Sequence, residues 1–383
     1  MKSDLYLSFV VFFQMIVVTL QLLLPLLGLA SVDQAAMYRV LITLLTYLPG
    51  IIIVMRRNFT MLLMAFVIYF VVLLFNYEFF PASHRFIESS AAYSLTPIGI
   101  LTALFIASVK DLTQFKKMLL YVSRASLVMA LAYVVAYNIS PFRDLNETYN
   151  MSFGYSMLLP AMFLFSQNHL WDKIASLVFL VLIFLGGSRG PVVVVAAFYA
   201  VHMFIFGSVK EWKKLAPGII ISTVALIVIL PRFVDLESSR TFRLLSEGEL
   251  ISHDSGREES VYSVIKPHIM EQPITGWGIG ADRSFLDGAY SHNVFIEIFI
   301  HYGIFLGSFM FIAFFLWVLK LSRSRRVRDM DSGREFVVMM FLYGFVPLLV
   351  SGSYLIDFRA WVMMGYFFRI GQKHMSRMQL ARR

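Results

Sequence analysis

The sequence predicts an all-α polytopic membrane protein with about twelve transmembrane helices. Hydrophobic residues make up 58% of the 383 positions, charged residues only 15%, and the mean hydropathy is +0.73. Soluble globular domains carry about 25% charged residues, so this composition indicates one integral membrane domain over residues 1–383. The chain has no cysteine, which excludes disulfides, thiolate metal sites and a cysteine nucleophile.

Apolar runs long enough to cross a hydrocarbon core about 30 Å thick follow one another along the chain. They lie at 6–30, 38–55, 60–77, 93–109, 117–137, 151–166, 174–187, 190–207, 216–231, 292–319, 336–353 and 354–370. The first run is too long for the core of a cleavable signal peptide, so we expect it to be a retained span. The run at 174–187 is short, and the last two runs are divided only where Gly352 turns the chain.

The basic residues predict the orientation of these spans. An even number of spans places both termini on one side, and 21 of the 33 Lys and Arg then fall on that side. Eleven fall on the opposite side, and Arg124 lies inside a span. The positive-inside rule therefore predicts that both termini are cytoplasmic. The net charge of +9 follows from this topology and does not indicate nucleic acid as a partner.

Between the ninth and tenth runs lies a polar stretch, 232–291, which we predict to be a large outward-facing loop with short helices. Its six basic and ten acidic residues give a net charge near −4, so it is not a basic surface for nucleic acid. Rough helical periodicity over 259–270 predicts a helix on the membrane surface that bends at Pro267. The sequence GWGIG at 276–280 lacks the flanking strand and helix of a nucleotide site, so we interpret it as a flexible turn.

Three polar residues recur every four positions in the tenth run, namely Asn293, Glu297 and His301, and we call them the polar stripe. This spacing places them on one face of a helix. A carboxylate and an imidazole at membrane depth cost about 2 to 3 kcal/mol or more unless they face protein or water. We therefore expect the stripe to line a cavity, with hydrogen bonding between helices as the alternative. Gly303 and Gly307 have the spacing of close helix packing.

His292 precedes this helix at its outer mouth, where an imidazole can exchange a proton near neutral pH. Arg189, in the short outward turn GGSRGP, and Arg257, in the large loop, offer guanidinium groups that suit a lipid diphosphate. Arg283 is a third candidate. The alternatives are a solvated imidazole, a headgroup contact for Arg189 and a solvated charge for Arg257. No spacing of ligands indicates a metal, so we expect neither metal nor cofactor.

Three other ionisable residues lie in or near predicted spans. Arg124 is within the fifth run, and Asp357 and Arg359 lie near the outer end of the twelfth. Charged groups at these depths neutralise one another or line a cavity. We expect a structural role for all three.

Three segments stand in order along the chain: SRGPVVVV at the start of a run, SGREESVYSVI followed by PITGWGIGA in the loop, and then SHNVFIEIFIHYGIFLG. Together they resemble the O-antigen polymerase and O-antigen ligase family of bacterial envelopes, the Wzy and Wzy_C-like proteins. The motifs are confined to about residues 185–310. The resemblance implies a twelve-span, metal-independent glycosyltransferase of the inner membrane that takes a glycan from undecaprenyl diphosphate at the periplasmic face.

Carried over by residue, the resemblance implies that Arg189 and Arg257 bind the diphosphate and that His292 activates the acceptor hydroxyl. Asn293 and Glu297 match the pattern HNxxxE and would support the site, a role that we extend to the rest of the polar stripe. A polymerase would use a lipid-linked repeat unit as acceptor, a ligase would use lipid A core, and transfer to protein is a third possibility. The implied partners are membrane lipids, a chain-length regulator and a flippase.

A flippase or another transporter of lipid-linked glycans is the alternative from a different class. Such a protein needs charged sites through its spans and access from both sides, and many transporters are built from repeated halves. The sequence shows no internal repeat, and its candidate residues gather at the predicted outer face. This distribution favours an enzyme.

Overall fold

The computed structural model describes residues 2–141, 151–185, 189–207, 261–330 and 333–381. Within these residues the chain forms helices joined by turns and contains no strand. The α-helices are, in chain order, α1 (Lys2–Leu26), α2 (Val32–Phe79), α3 (His84–Ile87), α4 (Thr96–Ala107), α5 (Leu112–Ile139), α6 (Met151–Ser156), α7 (Leu158–Phe165), α8 (Leu170–Leu185), α9 (Arg189–Val201), α10 (Ser263–Glu271), α11 (Asp282–Phe285), α12 (Val294–Arg323), α13 (Arg325–Asp329), α14 (Gly333–Val350) and α15 (Phe358–Ala381).

Five of these helices are long and apolar enough to cross a membrane: α1, α2, α5, α12 and α14. A sixth span results if the bent pair Pro81–Ile87 and Ala91–Ala107, at an angle of 66°, counts as one. These helices confirm a helical membrane protein. The number of about twelve spans stays a prediction, since the run at 216–231 and the loop residues before 261 lie outside the described residues.

Helix α2 joins two of the predicted runs, 38–55 and 60–77, in one element of 48 residues. At 1.5 Å per residue it is far longer than one bilayer crossing requires. Its helical geometry is interrupted at Asn58 (φ −147°, ψ 50°), between the two runs. The Asn58 side-chain amide donates to Ser108 Oγ at 3.0 Å, which joins the break to the end of α4.

The chain forms two compact units, residues 1–50 with 109–253 and residues 51–108 with 254–383. In the first unit, α1 packs against α5, and two hydrogen bonds join it to the start of α2, which runs antiparallel to it. The Tyr6 hydroxyl donates to Thr46 O at 3.0 Å, and Arg39 donates to Gln21 Oε1 at 3.0 Å. Side-chain hydrogen bonds thus join apolar helices in this unit. A single domain over residues 1–383 stays a prediction.

The second unit packs α15 against α4 and α14. Small residues permit close approach: a Cβ on Gly365 would lie 2.6 Å from Ala103 O, so α4 and α15 meet backbone to backbone there. Helix α10 confirms a helix over 263–270 of the expected 259–270, and its position on the membrane surface stays a prediction. Its buried Ile265 and Ile269 pack on Ile300 of α12, and this contact anchors the end of the polar stretch on the helix that follows it.

Candidate active site

Helix α12 is broken close to its N-terminal end. Gly303 has φ 77° and ψ 166°, so the chain leaves helical geometry for one residue. The segment before α11 bonds the backbone groups that the break leaves free: Trp277 N donates to Ile300 O at 2.8 Å, and Ile304 N donates to Pro273 O at 2.7 Å. An unpaired backbone group in a membrane costs several kcal/mol, so the break is stable only with this segment in place. Interpreting Gly303 as a helix-packing glycine was therefore wrong.

The GWGIG sequence forms the turn that docks on this break. Gly276, Gly278 and Gly280 all have positive φ, between 65° and 88°. A Cβ on Gly276 would lie 2.5 Å from Gly303 N and from His301 O, so the two chain segments meet with no room for a side chain. The turn was predicted, but its description as flexible was wrong, because its backbone is bonded to α12.

Next to this turn, four ionisable residues are buried together, each at most 5% exposed: Asp282, Arg283, Glu297 and His301. We call them the buried ion network. Arg283 Nη1 lies 2.6 Å from Asp282 Oδ1 and 3.3 Å from Glu297 Oε1, and its Nη2 donates to Ser353 Oγ at 2.8 Å. The Ser353 hydroxyl in turn donates to Glu297. Buried charges require such pairing, so the network joins α11, α12 and the turn before α15.

His301 completes the network. Its Nε2 lies 3.0 Å from Asp282 Oδ1 and 3.0 Å from Gly280 N, and its Nδ1 lies 2.8 Å from the Tyr354 hydroxyl. Glu297 Oε2 accepts from Tyr354 N at 3.1 Å. The polar stripe is therefore bonded to protein groups, as in the alternative that we gave for it, and these bonds replace the expected lining of a cavity.

Asp282 is the member with a bond to the next loop. Its Oδ2 accepts from the Ser291 backbone N–H at 2.9 Å. Burial by itself raises the pKa of Asp282, but the charges and hydrogen bonds of Arg283 and His301 outweigh burial and lower this pKa to about 2. Asp282 is therefore ionised at physiological pH and remains an acceptor for the loop.

His292 lies directly after this anchored residue, at the start of α12 as predicted. It has a positive φ of 56°, which is uncommon for a residue other than glycine. Its ring packs against Tyr290 with centroids 4.2 Å apart, and the Tyr290 hydroxyl donates to Ser351 O at 3.0 Å. Asn293 caps α12 by accepting from Phe295 N at 3.0 Å. His292 thus lies between Ser291, which Asp282 holds, and Asn293, which caps α12.

The three arginines assigned to a diphosphate differ in what is described of them. Helix α9 begins at Arg189, but the structure does not describe the Arg189 side chain. All of Arg257 also lies outside the described residues. Arg283 is 5% exposed, and its guanidinium bonds Asp282 and Glu297. Arg283 therefore neutralises two carboxylates of its own chain, and its binding of a diphosphate stays a prediction.

The other ionisable residues of the predicted spans form pairs. Arg124 bonds both carboxylate oxygens of Asp172 at 2.9 Å. Arg359 Nε lies 2.8 Å from Asp357 Oδ1. Each pair agrees with the structural role that we expected for Arg124, Asp357 and Arg359.

Asp282, Glu297 and His301 present possible metal-ligand atoms within 4.8 Å of one another. Arg283 bonds both of these carboxylates, so a guanidinium already supplies the positive charge there. A divalent cation beside it would meet a like charge, and the donor set therefore does not fit a metal well. The absence of a metal requirement stays a prediction.

Sequence reasoning missed Asp282, Ser291, Ser353 and Tyr354. None of them shares a helical period with the polar stripe, because each lies in a loop or a one-turn helix. One signal was present. Asp282 and Arg283 are adjacent, and they closely follow a glycine-rich turn in the loop between two apolar runs. Such a pair indicates a buried ionic contact where the turn meets a membrane helix.

The described residues thus define a helical membrane protein with an ion network at the broken N-terminal end of one candidate span. Residues 174–312, a little over a third of the chain, match the model of the O-antigen ligase family, Wzy_C. This match confirms the resemblance to the O-antigen polymerase and ligase family. Members of the family are bacterial membrane-bound, glycosyltransferase-like enzymes that act on lipid-linked glycans. No curated protein matches the chain.

Proposed function

We propose that the protein is a polysaccharide polymerase. It transfers a growing glycan from undecaprenyl diphosphate to the next lipid-linked repeat unit, at the periplasmic face of the bacterial inner membrane. The observation that carries the proposal is the family match over 174–312, because it contains Arg189, Arg257 and His292. A flippase that delivers the repeat units and a chain-length regulator are the partners that this reaction requires.

The donor needs charge stabilisation. When the bond between the glycan and the diphosphate breaks, negative charge develops on the leaving oxygen. Arg189 and Arg257 bind the diphosphate and offset this charge through forked hydrogen bonds. Because fixed guanidinium groups supply the positive charge, the reaction needs no metal. We give Arg283 no part in this step, since its guanidinium bonds Asp282 and Glu297 of the buried ion network.

The acceptor needs to lose one proton. The acceptor sugar hydroxyl attacks the anomeric carbon, its proton passes to the imidazole of His292, and undecaprenyl diphosphate leaves. His292 is partly buried at the start of α12 and packs against Tyr290, which fixes one side of the ring. General-base catalysis of this kind contributes about 10²- to 10⁴-fold to a rate. Asn293, Glu297 and His301 support the imidazole by holding the end of α12.

An O-antigen ligase is the second candidate, favoured by the description of the matching family model. It would use the same donor and proton acceptor, and would differ by transferring the finished chain to lipid A core. Deletion of the gene separates the two on a gel of envelope polysaccharide. A single repeat unit on the core supports the polymerase, whereas long chains that remain on the lipid carrier support the ligase.

Replacement of single residues tests the assignment of roles. We expect that Arg189→Ala, Arg257→Ala and His292→Ala each abolish chain extension in cells while the protein still accumulates in the membrane. Arg85→Ala is the matched control, because Arg85 forms an exposed ion pair with Asp287. Normal chain lengths in all three site variants would contradict the proposed site.

A further inference from the structure

We propose that Asp282 is a positioning residue for His292: its carboxylate fixes the backbone of Ser291 and so sets the place of the imidazole. The inference rests on the proposed role of His292 as proton acceptor. Asp282 itself is 0% exposed and therefore has no direct contact with substrate.

The two oxygens of Asp282 have separate tasks. Oδ1 lies 2.6 Å from Arg283 Nη1 and 3.0 Å from His301 Nε2, so it belongs to the buried ion network. Oδ2 accepts from Ser291 N at 2.9 Å. The residue before His292 is thus tied to α11 and, through Arg283 and His301, to α12.

His292 requires restraint on both sides because of its backbone conformation. Its φ of 56° lies in the left-handed region, which costs a residue with a side chain about 1 kcal/mol or more. A free loop would relax from this conformation. Ser291 is held by Asp282 on one side, and Asn293 is held on the other by Phe295 N and by its own bond to Leu349 O at 3.4 Å.

The same network also supports the ring of His292. The Arg283 guanidinium carbon lies 5.7 Å from the centroid of the Tyr290 ring, and that ring packs on the imidazole at 4.2 Å. Asp282 fixes Arg283 through the bond at 2.6 Å. One carboxylate therefore restrains both the backbone before His292 and the aromatic wall beside it.

The bond to Ser291 is separable from the rest of the network. Glu297 remains bonded to Arg283, Ser353 and Tyr354 without it, so α12 stays joined to the turn before α15. An asparagine at 282 has one acceptor oxygen and one donor amide. If the asparagine oxygen faces Arg283, its NH2 group faces the N–H of Ser291, and two donors meet. If the side chain is flipped, its NH2 group faces the guanidinium of Arg283, and again two donors meet. Asp282→Asn thus removes one restraint with little change of volume, and it leaves Arg283 paired with Glu297.

The test compares Asp282→Asn, His292→Ala and the double variant in proteoliposomes that contain the lipid-linked repeat unit. Misplacement of a reacting group by about 1 Å costs up to about 100-fold in rate, so Asp282→Asn should lower kcat by about 10- to 100-fold at unchanged KM. In the His292→Ala background the same change should have almost no further effect. Equal losses in both backgrounds, or a wild-type kcat, would overturn the inference.

The outcomes separate this inference from the proposed function. If His292→Ala is inactive and Asp282→Asn retains the wild-type kcat, only the positioning role fails. If His292→Ala retains the wild-type kcat, the proposed proton acceptor is wrong, and Asp282 has nothing to position. Arg85→Ala is the control and should match the wild type in both kcat and KM.

A second measurement covers the case in which Asp282→Asn does not fold. Hydrogen exchange of the unaltered protein should show the Ser291 amide protected to nearly the same degree as amides of α12, because its acceptor is a buried carboxylate. Exchange of Ser291 as fast as that of the exposed Asp287 would overturn the inference. Asp282→Glu, which keeps the charge and both oxygens but moves them by one methylene group away from Ser291 N, then replaces Asp282→Asn in the kinetic comparison and should lower kcat at unchanged KM.

Discussion

Both compact units contain an arginine paired with an aspartate beside an apolar helix, but the two pairs differ in burial and in connection. In the first unit, Arg124 bonds both oxygens of Asp172, and the Arg124 side chain is 51% exposed. In the second unit, the Arg283 side chain is 6% exposed and bonds Asp282, Glu297 and Ser353 at once. The first pair joins α5 and α8, whereas Arg283 joins α11, α12 and the turn before α15.

This difference shows how an ionic contact acquires a task beyond packing. An isolated pair holds only two groups together, and the loss of one partner leaves a single charge unpaired. A buried network is costly to break, since any lost partner leaves an unpaired charge in a medium of low dielectric. Such a network fixes loops as firmly as helices, and in this chain the loop that it fixes leads directly into His292.

The largest expected effect is that of Arg283→Met, which keeps an apolar stem and removes the charge. Asp282 and Glu297 would then be buried without their cation, and breaking a buried pair in this way costs about 3 to 5 kcal/mol. We expect a severe loss of folded protein and a lower melting temperature in detergent. Size-exclusion chromatography after heating measures both. An unchanged melting temperature would show that the network does not stabilise the second unit.

Gly303→Ala should have the next largest effect. Its φ of 77° disfavours any side chain, and a Cβ there would lie 2.5 Å from Pro273 O. Strain of this kind costs about 1 to 3 kcal/mol, and it should displace the GWGIG turn from α12. Gly371→Ala is the matched control, because a Cβ at that helical position has no neighbour closer than 3.9 Å. A loss of stability in the control equal to that of Gly303→Ala would contradict this explanation.

Acidification should remove the contribution of Asp282. Its pKa of about 2 in the folded protein lies below the ordinary value of 3.8, so the folded state binds this proton less readily than the unfolded state. The stabilisation, about 2 kcal/mol, is therefore complete above about pH 4 and is lost as the pH falls toward 2. The difference in melting temperature between wild type and Asp282→Asn should shrink between pH 5 and pH 3. If the difference in melting temperature between the two proteins stayed constant over this pH range, ionised Asp282 would not be the cause of that difference.

The smallest expected effect is that of Arg124→Met. Arg124→Met leaves one buried carboxylate, Asp172, without its cation, whereas Arg283→Met leaves two, so this variant should lose less stability than Arg283→Met. The same assay as for Arg283→Met makes the two units directly comparable. A loss as large as that of Arg283→Met would remove the distinction between an isolated pair and a network.

The sequence predicted the helical membrane class and the face shared by Glu297 and His301, because both follow from hydrophobic runs and helical periodicity. It did not predict the break at Gly303, since glycines four residues apart are equally typical of continuous packed helices. The break depends on Pro273 and Trp277, whose backbone bonds to α12 follow from tertiary packing alone.

The site could be predicted only where one residue type suggested a chemistry. His292 and the arginines were chosen for what an imidazole and a guanidinium do. Arg283 shows the limit of this reasoning, because its partners Glu297 and Ser353 are 14 and 70 positions further along the chain. Only the fold shows that this guanidinium is already neutralised.

The most direct test of glycan transfer through His292 is a single-turnover reaction in proteoliposomes with a labelled lipid-linked glycan. The wild type should release undecaprenyl diphosphate as the glycan joins its acceptor, and it should do so in the presence of a metal chelator. His292→Ala, at the same melting temperature, should release almost none. Release at the wild-type rate from His292→Ala would contradict the account.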